Sequence, residues 1–111
     1  MQVDLGPITR VPVGEGRVVD VGRRKLAVFR ARDGRVHVTQ AACPHKGGPL
    51  ADGLVGADTV VCPLHARRFS LVTGACLGGD CAPLHVFPVH IDARGHCWVD
   101  PEPAISKEAT P

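Results

Sequence analysis

Short runs of apolar and β-branched residues alternate with glycine, proline and Asx-rich breaks along most of this chain. Residues 8–11 and 17–21 are strand candidates. Residues 25–30 and 36–39 flank Arg32-Asp33-Gly34-Arg35, and Asp-Gly between two such runs predicts a hairpin. Thr59-Val60-Val61 leads straight into Cys62. Residues 69–71 and 75–77 flank Val72-Thr73-Gly74, a second predicted hairpin. Residues 86–92 and 96–99 flank Ala93-Arg94-Gly95, a third. Pro88, lacking an amide hydrogen, predicts an edge position or a bulge inside that run. No stretch of ten or more residues keeps a helical period. The pattern predicts an all-β fold, a small antiparallel sandwich or barrel, with residues 43–50 and 62–69 as two loops between strands. Pro101, Pro103 and Pro111 predict an extended or disordered tail over 101–111, leaving 1–100 as the folded domain.

Composition supports this picture. With 111 residues the chain makes one small domain. Gly 13 and Pro 10 suit tight turns, and a hydrophobic fraction of 44% is that of an ordinary globular protein. A formal net charge of +2, with scattered basic residues, argues against a nucleic-acid partner. No apolar run approaches the roughly 18 residues of a membrane span. Residues 1–5 lack the pattern of an export signal. These features predict a cytoplasmic protein without a membrane partner.

The chemistry is concentrated in two ligand pairs. Cys43-Pro44-His45 is followed, after sixteen residues, by Cys62-Pro63-Leu64-His65. Each pair places a thiolate and an imidazole on one tight loop, with a proline restraining the backbone. Gly47 and Gly48 let the first loop approach a bulky inorganic sulfide. Two thiolates and two imidazoles suit an iron–sulfur centre with mixed ligation. Zinc is the competing metal, since it binds the same donors, although zinc sites more often use CxxC knuckles. Nucleophilic Cys/His catalysis would not need the duplicated loop.

Cys43-Pro44-His45-Lys46-Gly47-Gly48-Pro49-Leu50, with Cys62-Pro63-Leu64-His65 and Phe69, resembles the Rieske-type [2Fe–2S] proteins. The likeness is close over the two loops and extends more loosely to Val99. It implies one [2Fe–2S] cluster per chain, with Cys43 and Cys62 on one iron and His45 and His65 on the other, solvent-facing iron. It also implies a Rieske-like fold with a cluster-binding subdomain. Charge counting explains the imidazoles. Two ferric ions, two sulfides and two thiolates sum to zero, whereas four thiolates would leave −2. Adding an electron to a neutral centre costs less, which places Rieske potentials at about −150 to +300 mV, against about −400 mV for plant-type ferredoxins.

High-potential members of that family carry an extra Cys in each loop, joined by a disulfide, and a Ser and a Tyr that hydrogen-bond to sulfur. The corresponding positions here are Gly48, Leu64, Arg67 and Phe69, which predicts the lower part of the range. Many soluble relatives have Gly where this chain has Ala66. If that site needs positive φ, alanine is strained there. Lys46, Arg67 and Arg68 are either a positive ring facing an acidic partner or a solvated basic loop.

The resemblance implies a one-electron carrier with redox protein partners. One reading is a ferredoxin passing electrons from a flavin reductase to a terminal oxygenase. The alternative is the small subunit of an assimilatory NAD(P)H nitrite reductase, which also matches Leu71-Val72-Thr73-Gly74-Ala75-Cys76-Leu77 and residues 84–91. A zinc-stabilised binding module without redox activity is the third class. A terminal oxygenase is too large for this chain, and no acid–base pair or nucleophile assembly is visible. Cys76, Cys81 and Cys97 are predicted to be small buried hydrophobes and free thiols. His37, His85, His90 and His96 are predicted to be surface or packed residues, and Trp98 to be core.

Overall fold

A computed structural model describes residues 2–44, 47–64, 66–77 and 81–100. Among the described residues ten strands run in chain order: β1 (Val3–Pro7), β2 (Glu15–Val21), β3 (Arg24–Arg30), β4 (Val36–Gln40), β5 (Leu54–Val55), β6 (Thr59–Val61), β7 (Arg68–Ser70), β8 (Val86–Phe87), β9 (Val89–Ile91) and β10 (His96–Val99). Two 3-10 turns, Ile8–Arg10 and Leu50–Asp52, are the only helical segments among the described residues. The strands form three antiparallel sheets, ordered β1-β10-β9, β2-β3-β4-β8 and β5-β6-β7. The all-β expectation holds.

Strand β3 explains how the sheets share the molecule. Leu26, Ala27, Val28 and Phe29 are buried in succession, without the alternation of a strand that has one wet face. Leu26 and Val28 pack with Val11, Val38, Phe87, Cys97 and Val99. Ala27 and Phe29 face the other way, into a core with Leu50, Val60, Phe69, Leu71, Leu84, Cys43 and Cys62. The strand thus divides a supporting core from the one beneath the ligand loops. Fully burying an aromatic such as Phe69 contributes about 1.5–3 kcal/mol, so this second core is a firm seat for both loops.

The hairpin expected around Asp33-Gly34 forms. β3 and β4 flank Asp33-Gly34, with Asp33 Oδ1 accepting the Arg35 amide at 2.9 Å. A further hairpin, β2 to β3 through Gly22-Arg23, pairs Val21 with Arg24. The hairpin at 69–77 is mostly turn: β7 ends at Ser70, and Phe69↔Cys76 is a single bridge.

Other expectations are corrected. Residues 8–11 are a 3-10 turn and its exit rather than a strand; the first strand is Val3–Pro7, held by the distant β10 (Val3↔Val99). Pro88 does stand at an edge, between β8 and β9, the outermost strands of their sheets, and it also marks the change from one sheet to the other. β8 pairs with β4 before it, and β9 pairs with β10 after it. Trp98 is half-buried rather than core, because Cys97 and Val99 take the inward positions of β10. Its Nε1 donates to Asp92 Oδ2 at 2.8 Å, and this bond with two backbone amides holds the Asp92 carboxyl well below the usual carboxylate range. His96 faces Asp4 at 3.0 Å, as a surface histidine would. Cys76 and Cys81 form a disulfide instead of two free thiols. Their separation of five residues, with Gly78-Gly79 between, brings the Cα atoms to 5.8 Å, inside the bonding range. Cys97 stays a thiol, and burial pushes its pKa up to about 11. The expected tail over 101–111 lies outside the described residues.

Candidate metal centre

The two ligand loops are built alike. Cys43 N donates to Gly48 O at 2.8 Å, and Gly47 N returns to Cys43 O at 2.8 Å. Cys62 N donates to Arg67 O at 2.8 Å, and Ala66 N returns to Cys62 O at 3.0 Å. In both, the residue four positions after the cysteine has positive φ: 70° at Gly47 and 56° at Ala66. Ala66 is the one non-glycine residue with positive φ among the described residues. The strain anticipated from its sequence position is therefore present. The same two hydrogen bonds curl each loop around its cysteine.

Both cysteines point inward. Cys43 is 2% exposed and Cys62 is 1% exposed, and neither is in a disulfide. Pro44, Pro63, Leu64 and Ala66, by contrast, are exposed. Each loop thus buries its sulfur and presents its tip. His45 and His65, the other two candidate ligands, lie outside the described residues, as does Lys46. Among the described residues no group of three or more His, Cys, Asp or Glu side chains converges on a metal position.

Gly48 shows how closely the loops meet. A Cβ there would stand 2.8 Å from Cys62 Sγ and 3.1 Å from Leu64 Cβ. The backbone of the first loop is pressed against the thiol of the second, which only glycine permits. Positions 48 and 64 also face each other, as the two extra cysteines of high-potential proteins would need to. Here they hold glycine and leucine, so no bond joins the loops. Two inward thiols on facing loops, with backbone close to one sulfur, fit the sulfur half of a [2Fe–2S] site.

A model of the Rieske [2Fe-2S] domain matches residues 1–88. The chain belongs to the Rieske [2Fe–2S] domain family. Its cofactor is accordingly a [2Fe–2S] cluster, and the zinc-module reading is set aside. The biphenyl dioxygenase ferredoxin subunit of Pseudomonas sp. (strain KKS102) is 35% identical over 89 residues, 78% of this chain and 81% of that one. Among solved structures, the complex of reduced oxygenase and oxidized ferredoxin in carbazole 1,9a-dioxygenase contains a chain 30% identical to this one. It superposes at a TM-score of 0.78, covering 88% of this chain and 91% of that one. A putative NADH-dependent nitrite reductase small subunit from Mycobacterium tuberculosis is 25% identical at a TM-score of 0.80, covering 89% and 93%. Those likenesses agree with both redox readings drawn from the sequence.

Sequence reasoning missed what Arg67 does. Its neighbour Arg68 is exposed, but Arg67 is half-buried and its Nε is fully buried, with no acceptor among the described residues. The signal was present in the sequence: Arg67 lies two positions before Phe69, on the same face if β7 is continued.

Proposed function

We propose that this chain is a one-electron carrier. Residues 1–100 form the carrying unit, with cluster loops at about 43–50 and 62–69. Cys43 and Cys62 bind one iron, and His45 and His65 bind the other. The bound cluster supplies one-electron storage, taking up and releasing a single electron. The chain's own residues hold it between two facing loops, bury its sulfur side against Phe69, Leu71 and Leu84, and bring the histidine-bearing tips toward a partner. The observation that carries this reading is the matched pair of loops, each with an inward thiol and an outward tip.

The partners are a flavin reductase as donor and a terminal oxygenase as acceptor, in keeping with the ferredoxin relatives. The nitrite reductase neighbour supports a second reading, in which the chain serves a large reductase subunit. Small, transient contacts at the loop tips suit rapid electron exchange. We place the carrier in the cytoplasm; no helix among the described residues is long and apolar enough to cross a membrane. The lower part of the Rieske potential range is expected, because no disulfide joins positions 48 and 64 and no hydroxyl occupies positions 67 and 69.

The decisive experiment mixes the reduced, cluster-loaded protein anaerobically with an aromatic-ring oxygenase or with a nitrite reductase large subunit. Fast oxidation by the oxygenase alone supports the first reading; fast oxidation by the reductase subunit alone supports the second. A protein that isolates colourless, without the red-brown absorption and Rieske-type EPR signal, overturns both. His45→Cys tests the ligand assignment. An added thiolate makes the centre more negative, so a cluster that still assembles has a lower potential.

A further inference from the structure

We propose that Arg67 donates a hydrogen bond from its buried Nε–H to a sulfur of the cluster, and so stabilises the reduced state. The pairing of β6 with β7 runs Thr59↔Ser70, Val60↔Phe69 and Val61↔Arg68. Continued by one step, that register sets Arg67 opposite Cys62; the Cys62 N to Arg67 O bond at 2.8 Å carries the pairing that far, with Ala66 at positive φ as a bulge that returns the bond to Cys62 O. Residues directly opposite in an antiparallel pair project to the same face, with Cβ atoms about 4.5–5.5 Å apart. The Arg67 side chain therefore starts out beside the Cys62 thiol. Phe69, two residues on and on the same face, is fully buried in the core that holds both cysteines, whereas Arg68 between them is exposed.

A buried guanidinium N–H without an acceptor is costly, and native structures seldom leave one. Arg30 Nε is likewise buried without a partner among the described residues, but the Arg30 fork reaches Val11 O through Nη1 and stands on β3, away from the ligand loops. Several other basic residues are paired. Arg17 reaches Glu15, Lys25 reaches Asp20 and Arg94 reaches Asp92. Arg67 Nε has no such partner among the described residues, and its residue stands opposite the candidate ligand Cys62. Thiolate and sulfide sulfurs are anionic acceptors and gain charge when the centre is reduced. A cationic donor therefore holds the reduced form more tightly than the oxidised form. Arg67 thus supplies a donor at the position where a hydroxyl was missing. The inference rests on Cys62 being a cluster ligand.

The test is a potentiometric titration of the cluster-loaded protein and of R67K, R67M and R68M, followed by circular dichroism and EPR. Lysine keeps the charge but lacks the Nε–H placed on a planar fork. Both R67K and R67M are expected to lower the equilibrium constant for reduction roughly tenfold, which is about 59 mV for one electron. R68M, which removes an exposed charge from the same loop, is expected to change it less than about threefold. If R67K titrates like the parent protein while R67M falls, only charge matters and the hydrogen bond is refuted. If neither moves, Arg67 has no role in the couple. Should R67M fail to load cluster, R67K decides alone, with its melting temperature as the folding control. C62S separates this inference from the one beneath it. A C62S protein that keeps its cluster refutes the ligand assignment, whereas cluster loss in C62S with a parental potential in R67K refutes only the hydrogen bond.

Discussion

In the loop that begins at Cys43 the left-handed position falls to Gly47, and the next residue, Gly48, lies against the facing thiol. In the loop that begins at Cys62 the same positions are Ala66 and Arg67. The hydrogen bonds are equivalent, at 2.8 to 3.0 Å, yet one loop is made of the most permissive residue and the other is not. The shape of each loop is therefore set by the ring of bonds around its cysteine and not by glycine itself. Where the loops differ, each residue choice serves a separate role. The first loop gains close approach to the facing thiol, and the second gains a buried donor.

The strongest challenge to that equivalence is removal of each sulfur. Cys43→Ser and Cys62→Ser are each expected to abolish cluster loading, measured as iron and sulfide per chain and loss of the visible spectrum. Unequal loss, with one variant staying red, would show that the loops are not equivalent ligand carriers. Next in size is Gly48→Ala. Its Cβ would meet Cys62 Sγ at 2.8 Å, an overpacking worth about 1–3 kcal/mol against the folded state. Gly47→Ala meets no atom within 4 Å and is expected to cost only the left-handed penalty of about 1–2 kcal/mol. Chemical denaturation of both variants decides whether contact or conformation dominates.

The reciprocal change, Ala66→Gly, is expected to raise stability. Relief of the left-handed strain exceeds the entropy added to the unfolded chain, by about 0.5–1 kcal/mol. A destabilised Ala66→Gly would mean that the methyl group packs usefully, and that the loops differ in more than strain.

How much of this was legible beforehand follows the range of the interactions. The ligand pairs and hairpin turns are local, so Asp33-Gly34 and the Cys-Pro spacing announced them. The pairing of Val3–Pro7 with β10 is remote, and Asp4, Gly6 and Pro7 disguise the strand. Pro88 was noticed, but only the assembled sheets show that it releases β8 from β9. Trp98 looked like core because aromatic residues usually are, yet alternation along β10 gave the inward positions to Cys97 and Val99. The Cys76–Cys81 bond depends on a turn geometry that residue types alone leave open. Strain at Ala66 was legible in part, since a glycine preference at that position was known from the resemblance and the backbone angle was not.

The smallest effect expected separates the loops from the sheet beneath them. His37 on β4 lines a surface cleft with Leu71 and Val72, which follow the second loop, and its Nε2 is buried without a hydrogen-bond partner among the described residues. Burial first, then the nearby Arg35, lowers its pKa from the usual 6.5; Asp33, Asp58 and the Leu71 backbone act the other way without cancelling it. A histidine harder to protonate when folded binds fewer protons than the unfolded chain does as pH falls below 6.5. Stability contributed this way is complete above that pH and is lost as pH drops through the lowered value. The chain is therefore expected to weaken on mild acidification, and His37→Gln is expected to flatten that slope below about pH 6.5. The readout is the denaturation midpoint at several pH values, compared with Ala66→Gly. That loop variant should shift stability by the same amount at every pH, because it removes strain and no proton site. If His37→Gln keeps the slope, the acid sensitivity does not come from His37.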